Sequence, residues 1–310
     1  MKAHSAQRVV RAQAAESRPS PARLYALILF MVLSWALNFV IGKVALREIP
    51  AMVLPGMRIG LAALCLVPVY LWDARRGPRQ RWTWADAPQL AIVSVCGITF
   101  NQFFFIAGLS RTSVGHSAVI IALTPMLVLA LAAVAGQERI TPAKVAGMTI
   151  ALAGVGALQV SKSSAAAATP LGDLYAFVGT LAFSLYVVAG KALSTRYGSI
   201  AVNTFAYWVG ALTLGPLAWF ERASFRLSYL SAAAWWSLAY MAVFPSVIAY
   251  LIYYHALAYM PASRVSMFTY AQPILATLLG FALLGEPVTP SLVTGGALVL
   301  AGVWVAELRA

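Results

Sequence analysis

The chain has 310 residues, of which 61% are hydrophobic and only 10% charged, with a formal net charge of +13 and a mean hydropathy of +0.81. A soluble domain carries about 25% charged residues, so this composition excludes a water-covered globule and points to an all-α polytopic membrane protein. The basic excess does not point to nucleic acid, because Lys and Arg are scattered through short loops rather than gathered on one face.

In chain order, residues 1–22 form a polar tail carrying Lys2, Arg8, Arg11 and Arg18, without the apolar run and small-residue site of a cleaved signal; it is expected in the cytosol. Ten apolar runs follow, each near the ~20 residues that cross a ~30 Å hydrocarbon core. They are 23–46, 51–72, 88–110, 115–135, 142–160, 172–193, 201–220, 233–259, 263–285 and 290–308. Pro142 and Pro290 fall in the first turn of their helices, where a missing N–H costs nothing. Ser161 to Thr169 reads as a flexible linker. The expected organisation is a tail (1–22), a five-helix repeat (23–160), a linker (161–171) and a second five-helix repeat (172–308). Cys65 and Cys96 lie in apolar runs at no motif spacing, so neither a disulfide nor a metal site is expected, and no cofactor.

Charge sets the orientation. With the N-terminus inside, 15 basic residues fall on inside segments and 6 outside (Lys43, Arg47, Arg111, Lys162, Arg222, Arg226). That bias favours both termini in the cytoplasm of a bacterial-type inner membrane. Trp72, Trp82 and Trp84 on one face, and Trp219, Trp235 and Trp236 on the other, suit the two interfaces.

The two halves repeat at a constant offset of 148 residues. LTPMLVLALAAVAGQERITP (123–142) matches AQPILATLLGFALLGEPVTP (271–290), with Pro125 against Pro273, Glu138 against Glu286 and Thr-Pro closing both. The same offset pairs Gly42-Lys43 with Gly190-Lys191, Pro68 with Pro216, Leu109 with Leu257, Gly147 with Gly295 and Gly154 with Gly302. Five spans per half is an odd number, so the second half enters from the opposite side and is inverted, the design of many alternating-access carriers.

WALNFVIGKVAL at 35–46, Arg58, AGLSRTSVGHSAVIIALTP at 107–125, the paired P…E…T-P segments and the glycine-bearing fifth and tenth spans together resemble the drug/metabolite transporter superfamily. The resemblance is to a tandem pair of EamA domains, over about 23–308, and among members to the YddG-type amino-acid exporters. It implies export of small metabolites, amino acids and aromatic ones among them. It also implies a central cavity built mainly by spans 1, 3, 4, 6, 8 and 9, with 5 and 10 peripheral.

Polar side chains inside a span are costly and usually face the protein interior or a water-filled cavity. On that ground the expected solute-binding residues are Trp35, Asn38, Arg58, Asn101, Gln102, Tyr186, Tyr250, Tyr254 and Gln272. Amides, phenols and an indole suit a small zwitterionic or aromatic solute; the bland alternatives are interfacial anchoring for the rings and helix–helix bonding for the amides. Arg58 either attracts an anionic group, snorkels, or bonds exposed carbonyls. Pro125 and Pro273 are expected to break a backbone bond beside the cavity. Glu138 and Glu286 are expected to be structural, approaching the N-terminus of the following helix.

No acid lies inside a span, so facilitated export, or proton coupling without a midplane carboxylate, is expected; no phosphate-binding loop for ATP appears. The rival from another class is an intramembrane serine hydrolase built on Gly115-His116-Ser117, with His255 as base. Rival solutes are nucleosides, sugars and cationic drugs. The expected partners are a small-molecule solute and the lipid bilayer, with no nucleic acid; the oligomeric state stays open.

Overall fold

The computed structural model describes residues 19–75, 83–111, 117, 120–160, 169–221, 226–272, 274–275, 278–279 and 290–307. Among them every regular element is helical. Six helices are long and apolar enough to cross a membrane: α1 (Pro21–Ala45), α2 (Leu54–Ala74), α3 (Trp84–Arg111), α6 (Pro170–Tyr197), α7 (Ser199–Phe220) and α8 (Ala232–Leu257). Between and after them stand the shorter α4 (Thr124–Val134), α5 (Pro142–Val160), α9 (Ala262–Met267) and α10 (Pro290–Glu307). The chain is thus a helical, multi-pass membrane protein.

Helix starts follow local chemistry. Ser20 caps α1 by accepting from Arg23 N at 3.3 Å, Thr169 caps α6 from Gly172 N at 3.1 Å, and Ser231 caps α8 from Ala234 N at 3.2 Å. Pro21, Pro142, Pro170 and Pro290 sit at the first position of their helices. Thr169-Pro170 is the signal that starts α6 two residues before the expected 172.

Two helices do not run with ideal α geometry. α3 widens to π-helical winding over Val95–Phe100, and α8 does so over Ala242–Ile248. The first stretch lies 148 residues before 243–248, so both halves carry the same irregularity in register. In α8 the cause is Pro245, which has no N–H to give the ladder. In α3 the Gly97 backbone meets Tyr186 so closely that an added Cβ would overlap the ring.

The fourth and ninth runs also depart from uninterrupted helices. Ala122–Leu123 form a turn before α4, and α9 tightens to 3₁₀ winding over Phe268–Tyr270. At the first break Pro125 cannot bond the Ile121 carbonyl, and Thr124 Oγ1 donates to it at 2.6 Å instead.

α5 and α10 pack antiparallel along their glycines. A Cβ on Gly147 would sit 2.5 Å from Gly302 O, and one on Gly154 would sit 2.7 Å from Gly295 O. The stripe that could equally have served a dimer is therefore used inside the chain. α2 and α7 also cross antiparallel, with Gly56 against Leu214 and Ala218, and α3 and α6 do so with Gly108 against Gly172 and Gly179 against Asn101.

Candidate functional site

The first-half helices α1–α4 and the second-half helices α6, α8 and α9 enclose a cavity of about 80 Å³. α1 contributes Trp35, Asn38 and Phe39, α2 contributes Arg58, and α3 contributes Asn101, Gln102 and Phe105. Ile121 and Thr124 come from the broken start of α4, and Ala176, Gly179, Thr180 and Phe183 from α6. Tyr250 of α8 closes one wall, and Thr269 and Gln272 close another. Among the described residues, none of α5, α7 or α10 lines it.

The π-helical stretch of α8 explains why Arg58 can be there. Pro245 would normally donate to the Met241 carbonyl four residues back and cannot. That carbonyl accepts instead from Arg58 Nε at 3.1 Å and from Ser246 Oγ at 2.7 Å, and Ser246 Oγ also accepts from Arg58 Nε at 2.7 Å. Two further carbonyls turn outward in the same stretch: Pro245 O takes the Trp35 indole N–H at 3.0 Å and Ser246 O takes the Tyr207 hydroxyl at 2.6 Å. One proline thereby anchors side chains from three other helices. Arg58 is 2% exposed, so it bonds carbonyls rather than snorkelling, and its Nη1 has no partner.

A second network fixes the opposite wall. Asn101 Nδ2 donates to Gly179 O at 3.1 Å, Tyr250 Oη donates to Asn101 Oδ1 at 3.0 Å, and Gln102 Nε2 donates to Tyr250 Oη at 2.9 Å. Trp35 stands edge-on to Phe183 and Tyr250, with ring centroids 5.8 and 5.9 Å away.

Of the nine expected solute-binding residues, the structure brings seven to this cavity: Trp35, Asn38, Arg58, Asn101, Gln102, Tyr250 and Gln272. Tyr186 and Tyr254 are elsewhere. Their ring centroids lie 4.9 Å apart, and the Tyr186 hydroxyl donates to Asn203 Oδ1 at 2.9 Å. Pro125 stands at the break that places Thr124 on the cavity; Pro273 and Glu286 lie outside the described residues. Pro245, Thr180, Phe183 and Thr124 were not singled out in the sequence. A proline inside a 26-residue apolar helix is the signal that marks the first.

Glu138 does not cap the helix that follows it. The first turn of α5 is served by Thr141, whose Oγ1 accepts from Lys144 N at 3.3 Å. Glu138 reaches across to the start of α9, accepting from Ser263 N at 3.0 Å and from the Ser263 hydroxyl, and pairs with Lys144 Nζ at 3.0 Å. Burial pushes its carboxyl up, but the Ser263 hydroxyl and amide together with Lys144 outweigh that and hold it below the ordinary glutamate value. Beside it Gln137 Nε2 donates to Val188 O of α6 at 3.1 Å. Residues 137–138 thus latch α6 to α9. At another helix start, Glu48 accepts from Ser231 N and Oγ at 2.8 and 2.6 Å.

Among the described residues, Ser117 and His255, the pair of the hydrolase alternative, make no hydrogen bond to each other. Ser117 Oγ is buried without any hydrogen-bond partner, His255 stacks edge-on to Tyr259, and His116 lies outside the described residues.

Comparison with known proteins places this geometry. The EamA-like transporter family matches twice, over residues 23–158 and 170–307. An "Uncharacterized transporter" of Archaeoglobus fulgidus is 30% identical over 87% of this chain and 94% of its own length. A "Probable terminal-alkyne amino-acid exporter" of Streptantibioticus cattleyicolor is 29% identical over 92% of this chain and 93% of its own. A "Probable amino-acid metabolite efflux pump" of Salmonella typhimurium is 23% identical over 90% and 93%. A crystal structure titled only as that of a protein superposes with a TM-score of 0.75 at 19% identity, over 94% of this chain, which speaks to the fold alone. With two tandem EamA domains covering nearly its whole length, the chain belongs to the EamA-like transporter family of the drug/metabolite transporter superfamily.

Proposed function

We propose that this transporter exports small amino-acid-type metabolites, aromatic ones among them, by alternating access through the cavity between two inverted five-helix repeats. Ten spans cross a bacterial-type inner membrane in this reading, with both termini in the cytoplasm. The observation that carries it is the cavity itself: both halves supply its walls, and buried polar atoms there have no protein partner.

The inverted arrangement rests on two relations at the 148 offset and on a third in which the donors keep the offset and the acceptor lies three residues beyond it. α5 and α10 are equivalent helices and run antiparallel, each with its first glycine against the other's second. The π-wound stretches of α3 and α8 coincide in register. Lys43 Nζ donates to Leu109 O at 2.5 Å near the end of α3, as Lys191 Nζ donates to Met260 O at 3.4 Å just past the end of α8. The names of the Streptantibioticus and Salmonella relatives support an amino-acid class of solute.

At about 80 Å³ the cavity is well below the ~300–1,000 Å³ of sites that hold drug-sized ligands. The structure is accordingly read as a constricted state of the cycle, latched at Glu138 between α6 and α9. The test is counterflow in proteoliposomes against a panel of amino acids, nucleosides, sugars and cationic drugs. Exchange of amino acids is expected; exchange of another class with none of the amino acids would overturn the solute assignment and keep the carrier.

A further inference from the structure

Three residues that line the proposed transport cavity, on different helices, carry a buried polar atom with no hydrogen-bond partner among the described residues. Arg58 Nη1, Asn38 Oδ1 and Gln102 Oε1 are all buried and all without a hydrogen-bond partner. A buried polar atom left in that state is costly, and native sites keep few of them. Three such atoms on the lining residues of one small cavity give a polar solute groups to bond.

Arg58 and Gln102 have a fixed polarity at these atoms. A guanidinium has only donors, and Arg58 Nε is already committed to Met241 O and Ser246 Oγ. Nη1 therefore awaits an acceptor, and its buried charge favours an anion. No lining residue of the cavity is an Asp or Glu, so the protein does not supply that anion there. Gln102 is oriented by the chain of bonds behind it. The Gly179 carbonyl only accepts, so Asn101 turns its amino group there and its Oδ1 to the Tyr250 hydroxyl; that hydroxyl oxygen then accepts from Gln102 Nε2. What remains is Oε1, an acceptor awaiting a donor. Asn38 adds an amide that no hydrogen bond among the described residues orients, free to turn its oxygen to a donor.

We infer that the cavity is a socket for a zwitterion, with Arg58 taking a free α-carboxylate while Gln102 Oε1 and Asn38 Oδ1 take a free α-ammonium group of the same solute. The inference rests on the transport reading above and narrows it: both charged groups must be present and unmodified. A simple amine leaves Arg58 without its anion, and a simple acid leaves two acceptors without a donor. A site built this way rejects an analogue that cannot complete its bonds far more strongly than it rejects a change in apolar size. Trp35, Phe39, Phe105 and Phe183 supply an apolar wall for the side chain.

The test uses the purified full chain in proteoliposomes, preloaded with L-leucine or L-phenylalanine and challenged with labelled probes. The intact amino acids are expected to exchange. Isoamylamine and phenethylamine, 4-methylvalerate and 3-phenylpropionate, and the two methyl esters are expected to exchange at least about tenfold more slowly. Arg58→Gln is expected to abolish amino-acid exchange and Arg58→Lys to retain part of it; the analogue series on the unaltered protein stands whether or not the variants fold. An amine or an acid exchanging within twofold of its parent amino acid overturns the inference. Exchange of uridine, glucose or a cationic dye with neither amino acid also overturns it and leaves the carrier standing. No exchange of any probe overturns both.

Discussion

Gln102 Nε2 donates to Tyr250 Oη at 2.9 Å, and the two residues stand 148 positions apart. That is the offset relating the two halves, so a residue touches its own counterpart in the other repeat. Equivalent positions meet only close to the axis that relates two copies. In the proposed inverted-repeat arrangement, the bond puts the cavity on that axis.

Tyr250→Phe keeps the ring and removes the hydroxyl that fixes the Gln102 amide. The amide then keeps only its 3.2 Å bond to Asn101 Oδ1, and its acceptor is held less firmly in direction. Exchange of L-leucine in proteoliposomes is expected to fall about tenfold, while thermal stability drops by only about 1 kcal/mol, the scale of an interhelical hydrogen bond in a membrane protein. A large loss of stability with full exchange would contradict the assignment.

Pro245→Ala returns an N–H to α8. The Met241 carbonyl can then be taken by its own helix, withdrawing the acceptor that Arg58 Nε uses and straightening the stretch that holds Trp35 and Tyr207. The variant is expected to fold and to lose at least about tenfold in exchange, because misplacing a positioning group by ~1 Å can cost two orders of magnitude. Counterflow paired with a melting curve separates this from simple unfolding.

The glycine seam gives a sharp internal comparison. Gly147→Ala puts a methyl 2.5 Å from Gly302 O and 2.6 Å from Ala306 Cβ, whereas Gly156 in the same helix has nothing within 4 Å. Gly147→Ala is expected to destabilise by about 1–3 kcal/mol through overpacking. Gly156→Ala is expected to stabilise by up to about 1 kcal/mol, as alanine does in an unobstructed helix. Equal melting temperatures for the two variants would refute the seam.

Glu138 sets a pH dependence with a definite sign. Its carboxyl is held below the ordinary value in the folded protein, so the stabilisation is complete above the unfolded value near ~4.3 and disappears as pH falls through the folded one. Melting temperature is expected to be flat from pH 7 to about 5 in this respect and to fall below about 4. Glu138→Gln is expected to cost about 2 kcal/mol at pH 7, the range for hydrogen bonds to a charged group, and to weaken the acid-side fall. A variant with the same acid-side profile as the unaltered protein would place the titration elsewhere.

The helices were legible because crossing lipid demands long apolar runs, and prolines and capping residues mark where they begin. The constant offset was legible too, since Gly147, Gly154, Gly295 and Gly302 are spaced by the packing they serve. Asn38, Asn101 and Gln102 stood out because an amide inside a span must find company in the interior. Less visible was which interior space each polar ring faces. Tyr186 and Tyr254 lie on helices buried on several sides, and only tertiary contacts decide that one ring lines a cavity and another does not. The partner of Glu138 was hidden for a similar reason: Ser263 is 125 residues away, and no local spacing announces it. Pro245 was readable in principle, yet its consequence, a place for Arg58, exists only once α2 and α8 are side by side.

The proposed seat of the solute at Arg58 has an electrical consequence. Arg58 stays with the protein in every state of the cycle, and a zwitterion carries no net charge past it. A carrier of this kind, working by facilitated export without proton coupling, moves solute without moving current. Membrane voltage should then neither drive nor oppose it: clamping proteoliposomes at different potassium-diffusion potentials is expected to leave the exchange rate unchanged, and the solute's own gradient alone would set the direction of flow.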